Sequence, residues 1–138
     1  MMEDAGLPYM LTRVASTYAE QVTLFYQGRT GLDVVNSLRR SLGWPPLRPE
    51  QNKKVTWTLN SLHIVRMEND DPFDNCARAF DFAILKGPKV PTWELKVDIN
   101  ENDIPDYREA GILWEECGGV WGGRWSNPDY CHCQLLIL

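Results

Sequence analysis

Only two histidines occur in this 138-residue chain, His63 and His132, and each sits in a segment with strand-like composition. His63 closes the run Val-Thr-Trp-Thr-Leu-Asn-Ser-Leu-His. His132 lies in Tyr-Cys-His-Cys-Gln-Leu-Leu-Ile-Leu, with Asp129 three residues before it. A further acid, Asp81, stands inside the apolar run Ala-Arg-Ala-Phe-Asp-Phe-Ala-Ile-Leu. Two imidazoles and a carboxylate, each on its own extended segment, make a sufficient ligand set for a catalytic zinc. Such an ion takes three protein ligands and keeps a fourth position for water. A general base must then accept a proton and return it to the leaving amine. Asp129 is placed for that task, because Asn127-Pro128 can bend the chain back over the strand that carries His132.

The same residues admit plainer readings. A histidine in a strand is commonly a satisfied structural residue. A buried carboxylate is costly unless something neutralises it, and for Asp81 that could be a metal ion or an arginine, Arg66 or Arg78. On the residues alone both readings stand. Cys131 and Cys133 share a strand face opposite to His132, and Cys117 could join them in a structural zinc site. Packing as small hydrophobes is the simpler role for these thiols. Cys76 completes a set of four with no Cys-x-x-Cys pair and no disulfide-scaffold density, so reduced and mostly buried thiols are expected. Trp114 reads as core, whereas Trp121 and Trp125, flanking a Gly-Gly turn, could equally pack or line a groove. The acidic stretch from Glu68 to Asp74 reads as a surface insertion, with cation binding as the alternative.

The elements that must position these groups follow from periodicity. Ser16-Thr17 opens a helix in which Val22, Phe25 and Tyr26 recur at helical spacing and Gly28 can close it. Leu32, Val35, Leu38 and Leu42 form the stripe of a second helix, with Gly43 after its end. A proline-broken polar loop follows, then a strand over Val-Thr-Trp-Thr-Leu-Asn-Ser-Leu-His-Ile-Val. In the next strand Phe80, Phe82 and Ile84 share one face, and Ala79, Asp81 and Ala83 share the other. Residues 86–103 read as loop with a short strand or turn. A third helix carries Pro105 in its first turn and Gly118 past its end, with Tyr107, Ala110, Leu113 or Trp114, and Cys117 inward. The order α, α, β, β, α, β implies an α+β fold with helices packed against a small antiparallel sheet that bears the zinc site. Residues 1–138 are expected to form a single domain.

Net charge is −5, and no Lys/Arg cluster exceeds a pair such as Arg39-Arg40, which excludes a nucleic-acid footprint. No apolar run approaches the ~18 residues of a membrane span. The first residues carry acids where a signal peptide has its basic region, so synthesis in the cytoplasm is expected, with release by another route.

Taken together, the segments resemble the zinc D-alanyl-D-alanine carboxypeptidase and L-alanyl-D-glutamate endopeptidase family, which includes many phage endolysins. Ser61-Leu62-His63 and Ala79-Phe80-Asp81 match parts of its first motif. Trp121-Gly122-Gly123-Arg124-Trp125 and Asp129-Tyr130-Cys131-His132 match its second. The resemblance runs from about Ser16 to Leu135. It implies that His63, Asp81 and His132 bind Zn²⁺, that Asp129 is the catalytic base, and that the reaction is hydrolysis of an amide in the peptidoglycan stem peptide. The expected activity is that of an L-alanyl-D-glutamate endopeptidase working as a monomeric phage lysin on the cell wall. A D-alanyl-D-alanine carboxypeptidase, or a non-catalytic wall-binding or morphogenesis domain that keeps its zinc, is the alternative. Ser61, Trp121, Trp125 and Arg29 are expected toward substrate. The spacing from His63 to Asp81 is longer than the compact motif, and Ala77 replaces its glycine. Ala19 follows Tyr18 where the family often carries an arginine, for which Arg13, Arg29 and Arg124 are stand-ins.

Overall fold

The computed structural model describes residues 1–65 and 76–136. In chain order the elements are β1 (Tyr9–Arg13), α1 (Tyr18–Tyr26), α2 (Leu32–Ser41), β2 (Ala79–Gly87), β3 (Val90–Thr92), α3 (Asp106–Glu116), β4 (Gly119–Trp121) and β5 (His132–Leu135). Short 3-10 turns occur at Pro49–Gln51 and Gly122–Arg124. The chain divides into two compact units, one of Met1–Val14 with Arg78–Leu138, the other of Ala15–Ala77. The class is α+β, as expected.

The first unit is built on an antiparallel sheet in the order β1-β2-β5-β4, with β3 also paired to β2. β2 is the centre because alternation gives it two usable faces. Phe82 and Ile84 are fully buried on one, while Asp81 lies between the buried Ala79 and Ala83 on the other. Tyr107 and Ala110 of α3, Trp121, Cys133, Met2 and Leu7 complete the apolar core around Phe82 and Ile84. Burying a large apolar side chain of this kind is worth about 1.5–3 kcal/mol. α3 is pinned at its start by Tyr107, whose hydroxyl donates to the Thr92 carbonyl (2.8 Å) and accepts from the Ile84 amide (3.3 Å). The third helix and its inner Tyr107 and Ala110 were legible from spacing, but Cys117 is exposed rather than inward. It sits past the helix as the C-cap, beyond the last turn that packs.

Sequence periodicity did not anticipate β1, an edge strand whose partner is Asp81 to Ile84 of β2. Met10 and Leu11, on opposite faces, are both exposed, so it carries no clean alternation to read.

The second unit holds α1 and α2. α1 starts with a capping box: the Glu20 amide bonds Thr17 Oγ1 (3.1 Å), and the Thr17 amide bonds Glu20 Oε2 (3.2 Å). Its buried face is polar, not the Val22/Phe25/Tyr26 stripe: Gln21, Thr23 and Gln27 are buried, and Tyr26 is exposed. α2 follows expectation, with Val35 fully buried and Leu32, Leu38 and Leu42 partly so. Gly43 takes a positive φ of 71° just past the C-cap.

The strand expected over residues 55–65 is absent. That segment is irregular chain with bends and a turn, in which Ile64 makes an isolated parallel bridge to Ser16. Its carbonyls are served by side chains instead: Gln21 Nε2 donates to the Thr58 carbonyl (2.6 Å), and Arg29 Nη2 to the Thr56 carbonyl (2.9 Å). The acidic insertion Glu68 to Asp74 and Arg66 lie outside the described residues.

Candidate metal centre and base

β5 lies beside β2 in a register that puts Asp81 opposite His132. Side chains directly opposite in an antiparallel pair approach to about 4.5–5.5 Å at Cβ, close enough for these two to meet. His132 Nδ1 lies 2.9 Å from Asp81 Oδ1. The other ring nitrogen, Nε2, lies 3.0 Å from Oε1 of Gln134, two residues along the same strand face. An amide oxygen only accepts, so Nε2 carries the hydrogen. Nδ1 faces the Asp81 carboxylate oxygen. Protonated, it donates to that oxygen; bare, it and the carboxylate are two donors turned toward one metal ion. Burial pushes the His132 pKa down. The bonds to Asp81 and Gln134 and the charges of Asp81 and Asp129 more than offset it, leaving the imidazole above its ordinary value. Gln134 is the residue of this site that motif reasoning missed. Its signal was its place two residues after His132.

Asp129 is joined to this pair through a turn. The His132 amide donates to the Asp129 carbonyl (3.2 Å), and the Asp129 amide to the Gly122 carbonyl (2.9 Å). The first glycine of the Gly-Gly pair is required by close approach. A Cβ at Gly122 would stand 2.5 Å from the Asp129 carbonyl oxygen and 3.2 Å from the Cβ of both Asp129 and His132. A Cβ at Gly123 would fall 2.2 Å from the Trp121 indole. The glycines therefore let the chain fold flat against both the turn and the tryptophan. The Asp129 carboxylate is exposed, and its Oδ1 accepts from the Cys131 thiol at 3.2 Å. Burial, then Asp129, push that thiol up to about 12, and burial does the same for Cys133.

The two tryptophans separate. Trp121 is 3% exposed, with its indole N–H on the Tyr130 carbonyl (2.9 Å), and belongs to the core. Trp125 is 39% exposed, and its ring centroid lies 5.1 Å from that of His132, so it is the tryptophan that shelters the imidazole. Beyond the turn, a cleft of about 300 Å³ is lined by Leu95, Arg108, Gly123, Arg124 and Tyr130 among others. Arg124 is held there by a two-pronged pair with Glu115, both bonds 3.0 Å.

In the second unit, His63 is 2% exposed. Ser61 folds the backbone beneath it: its hydroxyl accepts from the His63 amide (3.3 Å) and its carbonyl from the Ile64 amide (3.1 Å). The His63 carbonyl accepts from the Ser16 amide (2.9 Å). Ser61 thus has a structural task in the turn. Arg29 is similarly engaged, donating to the Phe25 and Thr56 carbonyls with its guanidinium 3.9 Å over the Phe25 ring. These contacts hold Arg29 within its own unit.

Cys117, Cys131 and Cys133 are free thiols. Cys76 and Cys117 are exposed, so the expectation of mostly buried thiols holds only for Cys133 and, in part, Cys131. No described helix is long and apolar enough to cross a membrane.

Comparison with known proteins bears on this geometry. Residues 74–135 match the family model described as D-alanyl-D-alanine carboxypeptidase; that segment carries Asp81, Asp129 and His132, and His63 lies before it. Over 134 residues, 96% of this chain, the sequence is 23% identical to peptidoglycan L-alanyl-D-glutamate endopeptidase CwlK of Bacillus subtilis. The chain spans 64% of that relative's length. Among solved structures, the Serratia marcescens L-Ala D-Glu endopeptidase ChiX matches with a TM-score of 0.43 and 21% identity, over 94% of this chain and 68% of that one. The sequence matches support the resemblance that the motifs carry: the chain is similar to the D-alanyl-D-alanine carboxypeptidase and L-alanyl-D-glutamate endopeptidase family of peptidases.

Proposed function

We propose that the chain is a zinc-dependent peptidase of bacterial peptidoglycan, with His63, Asp81 and His132 as metal ligands and Asp129 as general base. The observation that carries this is the Asp81–His132 pair: a carboxylate and an imidazole nitrogen face each other, tied through one turn to an exposed second carboxylate. Two imidazoles and a carboxylate are donors that zinc accepts. A zinc ion there supplies Lewis acidity toward a carbonyl oxygen and acidifies water. The protein's own groups do the rest. Gln134 fixes the tautomer of His132, in the manner of outer partners that orient ligating histidines. Asp129, exposed beside the pair, takes a proton from the attacking water and delivers it to the leaving amine. Trp125 limits solvent access to the imidazole.

The substrate we assign is the stem peptide, cut between L-alanine and D-glutamate, in the manner of a phage lysin that reaches the wall after release from the cytoplasm. The name of the Bacillus subtilis relative supports this choice of bond. Stem peptides carry free carboxylates, and Arg108 in the cleft beside Tyr130 is a cation available to meet one.

The test is a muropeptide digest followed by mass spectrometry, with and without chelator, alongside metal analysis of the purified chain. Release of the stem from L-alanine, abolished by chelation, is the expected result. Loss of only a terminal D-alanine would reassign the bond, and binding to peptidoglycan without any cleavage would remove the enzyme reading. Asp129→Asn should keep its zinc and lose about 10²–10⁴-fold in turnover, the usual weight of a general base. Undiminished turnover would remove Asp129 from that role.

A further inference from the structure

Residues 98–109 read Asp-Ile-Asn-Glu-Asn-Asp-Ile-Pro-Asp-Tyr-Arg-Glu and run from the loop after β3 into the first turn of α3. Counting from Asp98, oxygen-bearing side chains fall at positions 1, 3, 5, 9 and 12. That is the ligand spacing of a helix-entering calcium loop, in which position 7 adds a backbone carbonyl and position 12 a two-oxygen glutamate. The sixth position ordinarily needs glycine for a sharp turn. Here it is Asp103, which nonetheless takes a positive φ of 66°.

The same side chains converge. Asp98 accepts from the amides of Asn102 (3.2 Å) and Asp103 (2.9 Å). The two oxygens of Glu109 accept from the amide groups of Asn100 (2.9 Å) and Asn102 (3.0 Å). Asn102 Oδ1 accepts from the Ile104 amide (3.0 Å), and the Asn100 amide also donates to the Ala5 carbonyl (3.3 Å). Those bonds alone describe a well-knit loop.

What they leave over points to a cation. Asp106 is 0% exposed; one of its oxygens accepts from the Ile99 amide (2.8 Å), and the other is buried without a partner. Asn100 Oδ1 is likewise buried without a partner. Leaving such an acceptor unpaired is costly, and both belong to this one loop. Burial, and next the charges of Asp98 and Glu109, push the Asp106 pKa up against the opposing Ile99 bond. The charges of Asp98 and Glu109 thus both act on Asp106 from within this loop.

We propose that Asp98, Asn100, Asn102, the Ile104 carbonyl, Asp106 and Glu109 bind one calcium ion. The donors are all oxygen, which suits a hard cation. A loop of mixed carboxylates, amides and a carbonyl suits calcium's flexible shell of 6–8 oxygens better than the strict octahedron of magnesium. In the ion-bound loop the Asn100 amide would turn about its terminal bond, exchanging its N–H donation to Glu109 for an oxygen ligand to the ion. The site shares no residue with the Asp81–His132 pair and does not depend on the peptidase reading.

The test is calorimetric titration of the full chain with calcium chloride, with thermal melts in parallel. The expected result is one ion per chain, a dissociation constant of about 10⁻⁵–10⁻³ M, and a melting point that rises with calcium. Glu109→Gln and Asp98→Asn, each near-isosteric, should weaken binding at least tenfold, whereas Glu94→Gln should bind as the parent does. Circular dichroism establishes that each variant is folded, and either one suffices for the comparison. No saturable binding by the parent, or binding unchanged in both loop variants, would overturn the assignment. An equal affinity for magnesium would overturn calcium as the ion.

Discussion

The Gly122 contact gives the sharpest test of how the chain positions Asp129 and His132. An alanine there would place its methyl 2.5 Å from the Asp129 carbonyl oxygen and 3.2 Å from two Cβ atoms. The nearest atom is backbone, so relief requires moving the turn rather than a side chain. Overpacking of this kind costs about 1–3 kcal/mol. For a chain of this size that is a fall in melting point of about 3–5 °C per kcal/mol. Gly118 is the matched control. Its φ is +85° and nothing lies within 4 Å of its would-be Cβ, so alanine there costs only the left-handed backbone term, about 1–2 kcal/mol. The two variants should therefore lose similar stability and differ in function. A displacement of ~1 Å at catalytic groups can cost about 10²-fold in rate, so Gly122→Ala should fall by one to two orders of magnitude in stem-peptide cleavage, with weakened zinc binding. Gly118→Ala should keep both. Differential scanning calorimetry, chelator competition and the muropeptide digest read the three quantities. If Gly122→Ala cleaves and binds metal as the Gly118→Ala protein does, the turn does not position the site and the reasoning fails.

Gln134→Leu removes the acceptor that holds the hydrogen on His132 Nε2, and should weaken zinc affinity by about 10–100-fold; an unchanged affinity in chelator competition would show that the tautomer is set elsewhere. The thiols should divide by exposure and ionisation. With Ellman's reagent at pH 8, Cys76 and Cys117 react in the native protein, while Cys131 and Cys133, pushed up to about 12, react only on unfolding. Because their folded pKa values lie above the unfolded value of 9.0, these two thiols favour folding below pH 9, and that contribution drains away as pH rises from 9 toward 12. Melts of Cys133→Ser that fall as steeply with alkalinity as the parent's would contradict the assignment for Cys133.

How much of this was legible in the sequence depends on whether a segment's hydrogen bonds stay within it. α2, α3 and β2 satisfy their own backbones or pair with a neighbour, and their side-chain periods report faces faithfully: Val35, Tyr107 and Phe82 are buried where spacing put them. Residues 55–65 carry the Val, Thr and Trp content of a strand but no ladder. Their carbonyls are met by Gln21 and Arg29, and further back Gln27 donates to the carbonyls of Gln51 and Lys53 (both 3.2 Å). Composition cannot distinguish a strand from an irregular segment whose partners are side chains. The same cause inverted α1, since a helix that must serve a bare backbone turns its amides inward and its aromatics out.

The site divides along the same line. That Asp81 has a polar partner was legible, because a carboxylate between alanines in an apolar strand must be neutralised, and the register sets it against His132. Asp129 was legible through its turn, since Asn127-Pro128 and the Gly-Gly pair are local signals with local consequences. Gln134 was not, because a glutamine on a strand has no distinctive chemistry until one knows which ring nitrogen it faces. Nor was the loop at 98–109, whose pattern departs from the expected one at Asp103. An aspartate tolerates a left-handed backbone better than most residues, so the turn survives the substitution and the ligand spacing with it. The residues that hold a site in its working form are thus the ones whose meaning lies in a partner rather than in a neighbour.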